Sequence, residues 1–308
     1  MKPNVENPGK VVITVATTGG LHGKEANPNL PEQPDEIVQA AYDCYNAGAA
    51  VHHIHARDPK GHPTADLRYY GEIVSRVKAK CPKMITQVGN GIGSKRLPDG
   101  HTTHFTLEER MALLNVQPHP DQLTVNCGTF TFGGKPPSWD DFLFVNDQTF
   151  NTEFVKGCVA RGVRMECECY DLSHIANVLE LVQWGVMPTP IHFSFVLGVR
   201  GTIPATPMNM LQMLDALPEG SSWQVVTIGR FTLPLGTMAL ALGGNIRVGL
   251  EDNVYYLPGE LVKSNAQLVE RAVRLARELG REIATPEEAR KMLHLSQWGE
   301  VRESGVRR

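Results

Sequence analysis

The chain has 308 residues, of which 42% are hydrophobic and 20% are charged. This composition allows a large buried core and excludes global disorder. With 30 basic and 33 acidic residues the formal net charge is −3, which argues against a nucleic-acid-binding protein, since these are strongly basic. No apolar run reaches the length of a membrane span, and the first ten residues lack the apolar stretch of a signal peptide. Six scattered cysteines then favour reduced thiols in a cytoplasmic protein.

Short apolar runs that are typical of buried strands alternate with amphipathic, helix-like segments along the whole chain. The predicted strands cover residues 11–16, 50–55, 84–88, 122–126, 163–169, 190–196, 223–228 and 246–250. The predicted helices cover residues 34–48, 67–80, 107–115, 152–161, 174–184, 208–217, 234–242 and 266–279, and a last helix begins after Thr285 with Pro286 at its first position.

Eight strand-then-helix units predict a closed (β/α)₈ TIM barrel with a C-terminal helical extension. We expect residues 1–308 to form a single domain, because no linker or low-complexity segment interrupts the pattern. An open, doubly wound sheet with two extra strands is the structural alternative. The charged tail, residues 296–308, is expected to pack on another subunit or to fray.

Three histidines stand at the end of the second predicted strand, where TIM barrels place their active sites. Side chains alternate along a strand, so His53 and His55 share one face while His52 lies on the other. Two imidazoles on one face can hold a single metal ion, and a catalytic zinc ion then requires a third protein ligand. The alternative is that these histidines are hydrogen-bonded core or surface groups.

A candidate third ligand follows the eighth predicted strand, where Glu251 and Asp252 form an acidic pair four and five residues after Arg247. Closure of a barrel brings its eighth strand beside the first and near the second, so Glu251 can approach the histidines. The alternative is a salt-bridged or helix-capping cluster at the start of a loop.

Polar residues also end the fourth and fifth predicted strands. Thr124 and Asn126 can line a pocket or make ordinary strand-end hydrogen bonds. Glu168 shares a face with Glu166, and inside a barrel a carboxylate needs a partner or a ligand. If that face is outward, the two glutamates pair with helix residues instead. The neighbouring Cys-x-Cys pair is interpreted as buried strand residues, because no second pair provides a zinc-finger spacing.

Taken together, the strand ends resemble the β-keto acid cleavage enzyme family, which includes the 3-keto-5-aminohexanoate cleavage enzymes. The matching segments cover nearly the whole chain. They are HIHARD (53–58), NCGT (126–129), HFSFVLGV (192–199), GR (229–230), GGNIRVGLEDN (243–253) and KSNAQLV (263–269).

This resemblance implies a zinc-dependent TIM barrel that uses acetyl-CoA as co-substrate and forms a homo-oligomer. Its reaction converts a β-keto acid and acetyl-CoA into acetoacetate and a new CoA ester by Claisen-type condensation and retro-Claisen cleavage. The resemblance assigns a role to each of seven side chains. The zinc ligands are His53, His55 and Glu251, the acid–base residues are Asp252 and Arg247, and the residues facing the substrate are Glu168 and Thr124.

Two departures from the aminohexanoate-cleaving members bear on the substrate. Their loop after the third strand is of the Ser-Thr-Gly-Gly type, whereas this chain has GNGI (89–92), so Asn90 or a backbone amide must replace the serine hydroxyl. After the first strand, Leu21 replaces an acid that would pair with an amine. Phe130 and Phe132, after the fourth strand, can add apolar surface or attract a quaternary ammonium by cation–π interaction. We therefore expect a β-keto acid with a neutral or quaternary ammonium tail.

A metal-dependent hydrolase of the amidohydrolase type is the second interpretation. Such barrels place the H-x-H pair on strand one and single histidines on strands five and six, whereas here the pair is on strand two and only His192 matches the sixth strand. A non-catalytic, metabolite-binding barrel is the third interpretation. An assay for acetoacetate separates the three.

Overall fold

Eight parallel strands, each followed by at least one helix, close into a barrel in the computed structural model, which describes residues 9–97, 101–132 and 141–295. The strands are β1 (Ile13–Ala16), β2 (Val51–Ile54), β3 (Ile85–Val88), β4 (Gln122–Asn126), β5 (Arg164–Cys169), β6 (His192–Leu197), β7 (Ser222–Thr227) and β8 (Asn245–Val248). The helices are α1 (Pro34–Ala47), α2 (Leu67–Lys80), α3 (Leu107–Ala112), α4 (Gln148–Arg161), α5 (Leu172–Gln183), α6 (Pro207–Asp215), α7 (Thr232–Ala241), α8 (Asn265–Glu278) and α9 (Pro286–Met292).

The predicted TIM barrel is confirmed, and the open-sheet alternative is wrong, because β1 pairs in parallel with both β2 and β8. The predicted bounds of α2 and β4 match the structure. Helix α4 begins four residues before its predicted start, since the Asp147 side chain accepts a hydrogen bond from the Phe150 amide and caps the helix there.

The C-terminal extension closes the bottom of the barrel, where the strands begin. Helix α9 places Ala289 and Leu293 against Val12, Val51 and Ile85, whose side chains are all at most 1% exposed. A capping box between the side chains and amides of residues 285 and 288 fixes the start of this helix. Among the described residues, the bottom of the barrel is therefore covered by apolar side chains, and the cavity lies at the opposite end.

Above this apolar layer, the barrel contains hydrogen-bonded polar side chains instead of the usual branched hydrophobic ones. Gln87 donates to Glu166 Oε2 (2.7 Å), and Ser194 donates to Glu166 Oε1 (2.7 Å). Gln224 donates to Ser194 (2.8 Å) and accepts from Thr14 (2.9 Å). Because Glu166 faces inward, its outward alternative is wrong. This polar layer supports the strand ends from below.

Three short antiparallel hairpins extend the loops at the open end, and the sequence pattern did not predict them. They are Ser94–Arg96 with Thr102–His104, Phe130–Phe132 with Phe142–Phe144, and Tyr255–Leu257 with Glu260–Leu261. Strands of two or three residues are too short to show an alternating pattern.

The expectation for residues 296–308 falls outside the described residues. Within the described ranges, none of the helices is long and apolar enough to span a bilayer.

Candidate active site

A cavity at the open end of the barrel collects most of the side chains that the sequence singled out. Its lining includes the predicted residues His53, His55, Asn126, Glu168, Arg247, Glu251 and Asp252. At the rim of the cavity, the backbones of the loops after β1 and β3 lie against each other at Gly20 and Gly93. A Cβ at Gly20 would lie 2.1 Å from Gly93 Cα, so this close contact requires glycine.

The two inward histidines at and just beyond the end of β2 turn unprotonated nitrogens toward each other. His53 Nδ1 donates to Gln87 Oε1 (2.7 Å), and His55 Nδ1 donates to the Ile92 carbonyl (2.9 Å). Burial lowers the pKa of His55 to about 3 and that of His53 well below its usual value, so both rings are neutral. Their Nε2 atoms, 3.1 Å apart, then present two lone pairs to the same point.

Glu251 completes a group of three donors that fits a metal ion. Its Oε1 atom lies 3.8 Å from His53 Nε2 and 3.7 Å from His55 Nε2. Two nitrogens bound to a tetrahedral zinc ion would be about 3.3 Å apart. Among the described residues, Glu251 Oε2 is buried without a hydrogen-bond partner. Facing lone pairs and an unpartnered carboxylate oxygen are unfavourable unless a cation lies between them.

Arg247 holds three carboxylates at the edge of this donor group. It donates to both oxygens of Asp252 (2.9 and 2.8 Å), to Glu168 Oε1 (3.1 Å) and to Glu251 Oε1 (2.6 Å). Burial raises the pKa of Glu251 to about 8 and that of Glu168 to about 7, although the nearby guanidinium lowers both. Without further positive charge these two carboxyl groups therefore tend to hold a proton, and a divalent cation at the donor group would favour their ionised form.

Asn126 projects an amide into the cavity from the end of β4. Its Oδ1 accepts from the Tyr170 hydroxyl (2.8 Å), which orients the amide. Within the described part of the chain, Asn126 Nδ2 is buried and has no partner. A buried N–H donor of this kind is available to an oxygen of a bound substrate.

Thr124 and Asn90 are buried but lie behind the cavity lining. Thr124 Oγ1 accepts from the backbone N–H of Asn90 (2.9 Å), and Asn90 Oδ1 accepts from Arg110 (2.6 Å). The structure therefore places these two predicted substrate contacts in the supporting layer rather than on the cavity surface. Their assignment as substrate-binding residues stays a prediction.

One wall of the cavity is aromatic. We define the aromatic wall as His104, Phe132, Phe144 and Tyr170, which all line the cavity. His104 donates through Nδ1 to the Gly93 carbonyl (2.9 Å), and burial lowers its pKa to about 4. The wall is therefore uncharged at neutral pH. His104 was not anticipated, because it lies on an unpredicted hairpin.

His192 does not complete a metal site of the amidohydrolase type. It is the first residue of β6, and its Nδ1 atom lies 2.9 Å from Ser222 Oγ at the start of β7. The paired histidines lie at the other end of the barrel, at and just beyond the end of β2. Among the described residues, one group brings three possible metal ligands within 4.8 Å of one another. It consists of His53, His55 and Glu251.

Comparison with known proteins identifies the family of the chain. The model of the β-keto acid cleavage enzyme family matches residues 10–295. The chain is 40% identical over 287 residues to the 3-keto-5-aminohexanoate cleavage enzyme of Acetoanaerobium sticklandii, covering 93% of this chain and 99% of that protein. It is 34% identical over 308 residues to the 3,5-dioxohexanoate:acetyl-CoA acetone transferase of Paraburkholderia graminis, covering 93% and 96%.

The fold is similar to that of a solved binary complex of ObcA with oxaloacetate, with a TM-score of 0.70 and 19% identity over 87% of this chain and 67% of that chain. The sequence matches cover nearly the full length of this chain and of each relative. The family resemblance expected from the strand ends is therefore confirmed. The protein is an enzyme of the β-keto acid cleavage family.

Proposed function

We propose that this enzyme is a zinc-dependent acyltransferase that converts a β-keto acid and acetyl-CoA into acetoacetate and a new CoA ester. One observation carries the proposal: two neutral imidazole nitrogens and a carboxylate converge on one point beside the Arg247–Asp252 pair. This arrangement combines a site for a Lewis acid with a positioned base.

His53, His55 and Glu251 would hold the zinc ion. When bound, the ion supplies a Lewis acid for the carboxylate and β-carbonyl oxygens of the substrate. Asp252 is the proposed base for the C2 proton, and Arg247 fixes its orientation through two hydrogen bonds. The free Nδ2 donor of Asn126 supports the proposal, because it can donate to an oxygen that gains negative charge.

The carbon chemistry balances without an oxidant or reductant. Loss of the C2 proton to Asp252 gives an enolate, which attacks the acetyl carbonyl and releases the CoA thiolate. The thiolate then attacks the original β-carbonyl, and the bond between that carbonyl and C2 breaks. The C2 fragment, now carrying the acetyl group, takes a proton back from Asp252 and leaves as acetoacetate, while the original acyl group leaves as its CoA ester.

The test is an assay of the purified protein over a panel of β-keto acids, with metal content measured in the same preparation. We expect acetoacetate and a new CoA ester in equal amounts, formed only when acetyl-CoA and a β-keto acid are both present, and about one zinc ion per chain. Hydrolysis of a panel member without acyl transfer, or a protein that turns over fully without zinc, would contradict the proposal.

The cavity wall points to an uncharged acyl tail. Leu21 lines the cavity and is 45% exposed. Its apolar side chain cannot form an ion pair with a charged acyl tail of the substrate. On the opposite side of the aromatic wall, the Arg110 guanidinium lies 4.7 Å from the Phe144 ring centroid. Arg110 bonds to amide and carbonyl oxygens, and no carboxylate among the described residues pairs with it. Its charge therefore disfavours a cation on that wall.

We therefore expect a neutral β-keto acid to be used better than 3-keto-5-aminohexanoate. The quaternary ammonium tail that the sequence also suggested, as in dehydrocarnitine, is a cation, and the Arg110 charge disfavours it for the same reason. The expected difference in kcat/KM is tenfold or more, about 1.4 kcal/mol of transition-state preference. In Leu21→Glu the preference should shift toward the amine, with Leu21→Gln as the uncharged control. A tenfold advantage of the amine in the unmodified enzyme would show that Leu21 does not select the tail.

Gln87 should control the affinity for zinc without binding it. Its Oε1 atom fixes the proton of His53 on Nδ1, because its own Nε2 donates to Glu166. Gln87→Leu should weaken zinc binding by about 10- to 100-fold, as expected for the loss of a group that orients a ligand. Competition with a chelator measures the affinity.

Gln122→Leu is the matched control, because Gln122 lies in the same polar layer and bonds to Gln87 but not to His53. We expect it to leave the zinc affinity nearly unchanged. Equal losses in both variants would show that zinc binding depends on the polar layer as a whole and not on the contact between Gln87 and His53.

A further inference from the structure

A second recess at the open end of the barrel lies beside the candidate active site. We define the side groove as the recess between the start of α7 and the loop and hairpin after β8, lined chiefly by Arg230, Leu233, Asn253, Tyr255, Tyr256 and Arg271. It encloses about 400 Å³, which is within the range of small-molecule sites.

The side groove is positively charged. Among its described lining residues there are two arginines and no carboxylate. Arg230 is exposed, and its guanidinium lies over the Phe231 ring. Arg271 donates to the Tyr256 carbonyl (2.6 Å) and stacks on the Tyr256 ring. In the part of the chain that the structure describes, neither arginine is in an ion pair, so both charges are available to an anion.

The side groove also exposes apolar and aromatic surface. Tyr255 is 49% exposed, Leu257 48% and Leu233 41%, which places three large hydrophobic side chains around one recess. Exposed apolar surface that is grouped in this way is typical of a binding site. A planar heteroaromatic ring with attached phosphates would match both the tyrosines and the arginines.

Only a thin wall separates the side groove from the reaction cavity. Ile228 lines the cavity and the next residue, Gly229, lines the groove, while Asp252 lines the cavity and Asn253 the groove. The Gly229 amide donates to the Asp252 carbonyl (2.8 Å) and joins the two loops. A ligand in the groove is thus adjacent to the proposed base.

We propose that the side groove binds the nucleotide part of acetyl-CoA, with its phosphates at Arg230 and Arg271 and its adenine against the tyrosines. This inference rests on the proposed function, because it assumes acyl transfer from acetyl-CoA. The loops after the seventh and eighth strands are where TIM barrels often bind phosphate groups. The pantetheine arm would then cross the wall formed by residues 228–229 and 252–253, which places the thioester in the reaction cavity.

The test compares acetyl-CoA with acetylpantetheine, which has the same thioester and arm but no nucleotide. In the variant Arg230→Ala/Arg271→Ala, we expect KM for acetyl-CoA to rise by about tenfold or more, as for the loss of charge-assisted hydrogen bonds. KM for acetylpantetheine and kcat at saturating acetyl-CoA should not change. Arg277→Ala is the matched control, because Arg277 is exposed on the same helix α8 but outside the groove.

Two further measurements keep this proposal separate from the proposed function. Calorimetric titration with CoA measures binding in the absence of catalysis, and light scattering measures the oligomeric state of each variant. An enzyme that makes acetoacetate but binds CoA equally well in the double variant and in Arg277→Ala would overturn the groove assignment alone. A change of oligomeric state with unchanged KM would identify the groove as an interface between copies of the chain, which also overturns it.

Discussion

Replacing His53 and His55 together by alanine is expected to remove the proposed zinc ion and to reduce kcat on the order of 10³-fold or more. Both Nε2 atoms converge on Glu251, and a single carboxylate cannot retain zinc without them. Loss of a Lewis acid removes several kcal/mol of charge stabilisation from the enolate. Metal analysis of the purified variant and an acetoacetate assay measure the two effects.

His62→Ala is the control for this prediction. Its side chain is 72% exposed and lies against Asp58, away from the reaction cavity, so we expect zinc content and turnover to remain normal. A double variant that kept one zinc ion per chain together with full turnover would mean that the ion is bound elsewhere, and the ligand assignment would then be wrong.

Asp252→Asn is expected to lower kcat on the order of 10²-fold or more while zinc stays bound. Asparagine keeps the size of the side chain and one acceptor oxygen for Arg247, but it cannot take a proton from C2. The three proposed zinc ligands are unchanged, so metal content should be normal. Steady-state kinetics with separate values of kcat and KM measure the outcome.

The two kinetic constants separate a catalytic role of Asp252 from a binding role. If KM rose while kcat stayed normal, Asp252 would bind the substrate and another group would remove the proton. A melting temperature close to that of the unmodified enzyme checks that the Arg247 cluster has kept its structure.

The barrel could be predicted because each of its strands is a short, buried run with a helical segment after it. The same period-two alternation placed His53 and His55 on one inward face, and closure of the barrel placed Glu251 beside them. These inferences require only local patterns and one rule of topology. They do not depend on the packing of individual side chains.

Other parts of the site depend on contacts between residues that are distant in the sequence. Gln87 gives no signal of its own, because its contacts with His53 and Glu166 arise from the register of three different strands. Asn90 was expected in the cavity, but Arg110 from α3 holds its side chain behind the lining. The hairpins that carry His104 and Tyr255 have strands of only two or three residues, which are too short to leave an alternating pattern in the sequence.

Arg247 contacts Glu168, Glu251 and Asp252 at once, and these four side chains are therefore one energetic unit whose substitutions do not add. Loss of the guanidinium alone would leave three carboxylates facing one another, two of them buried and that of Glu251 only 17% exposed, which costs more than the loss of any single one of them. A chain that exchanges Arg247 during evolution must therefore change at least one carboxylate in the same step or pass through an inactive intermediate. The four positions are expected to vary together or not at all.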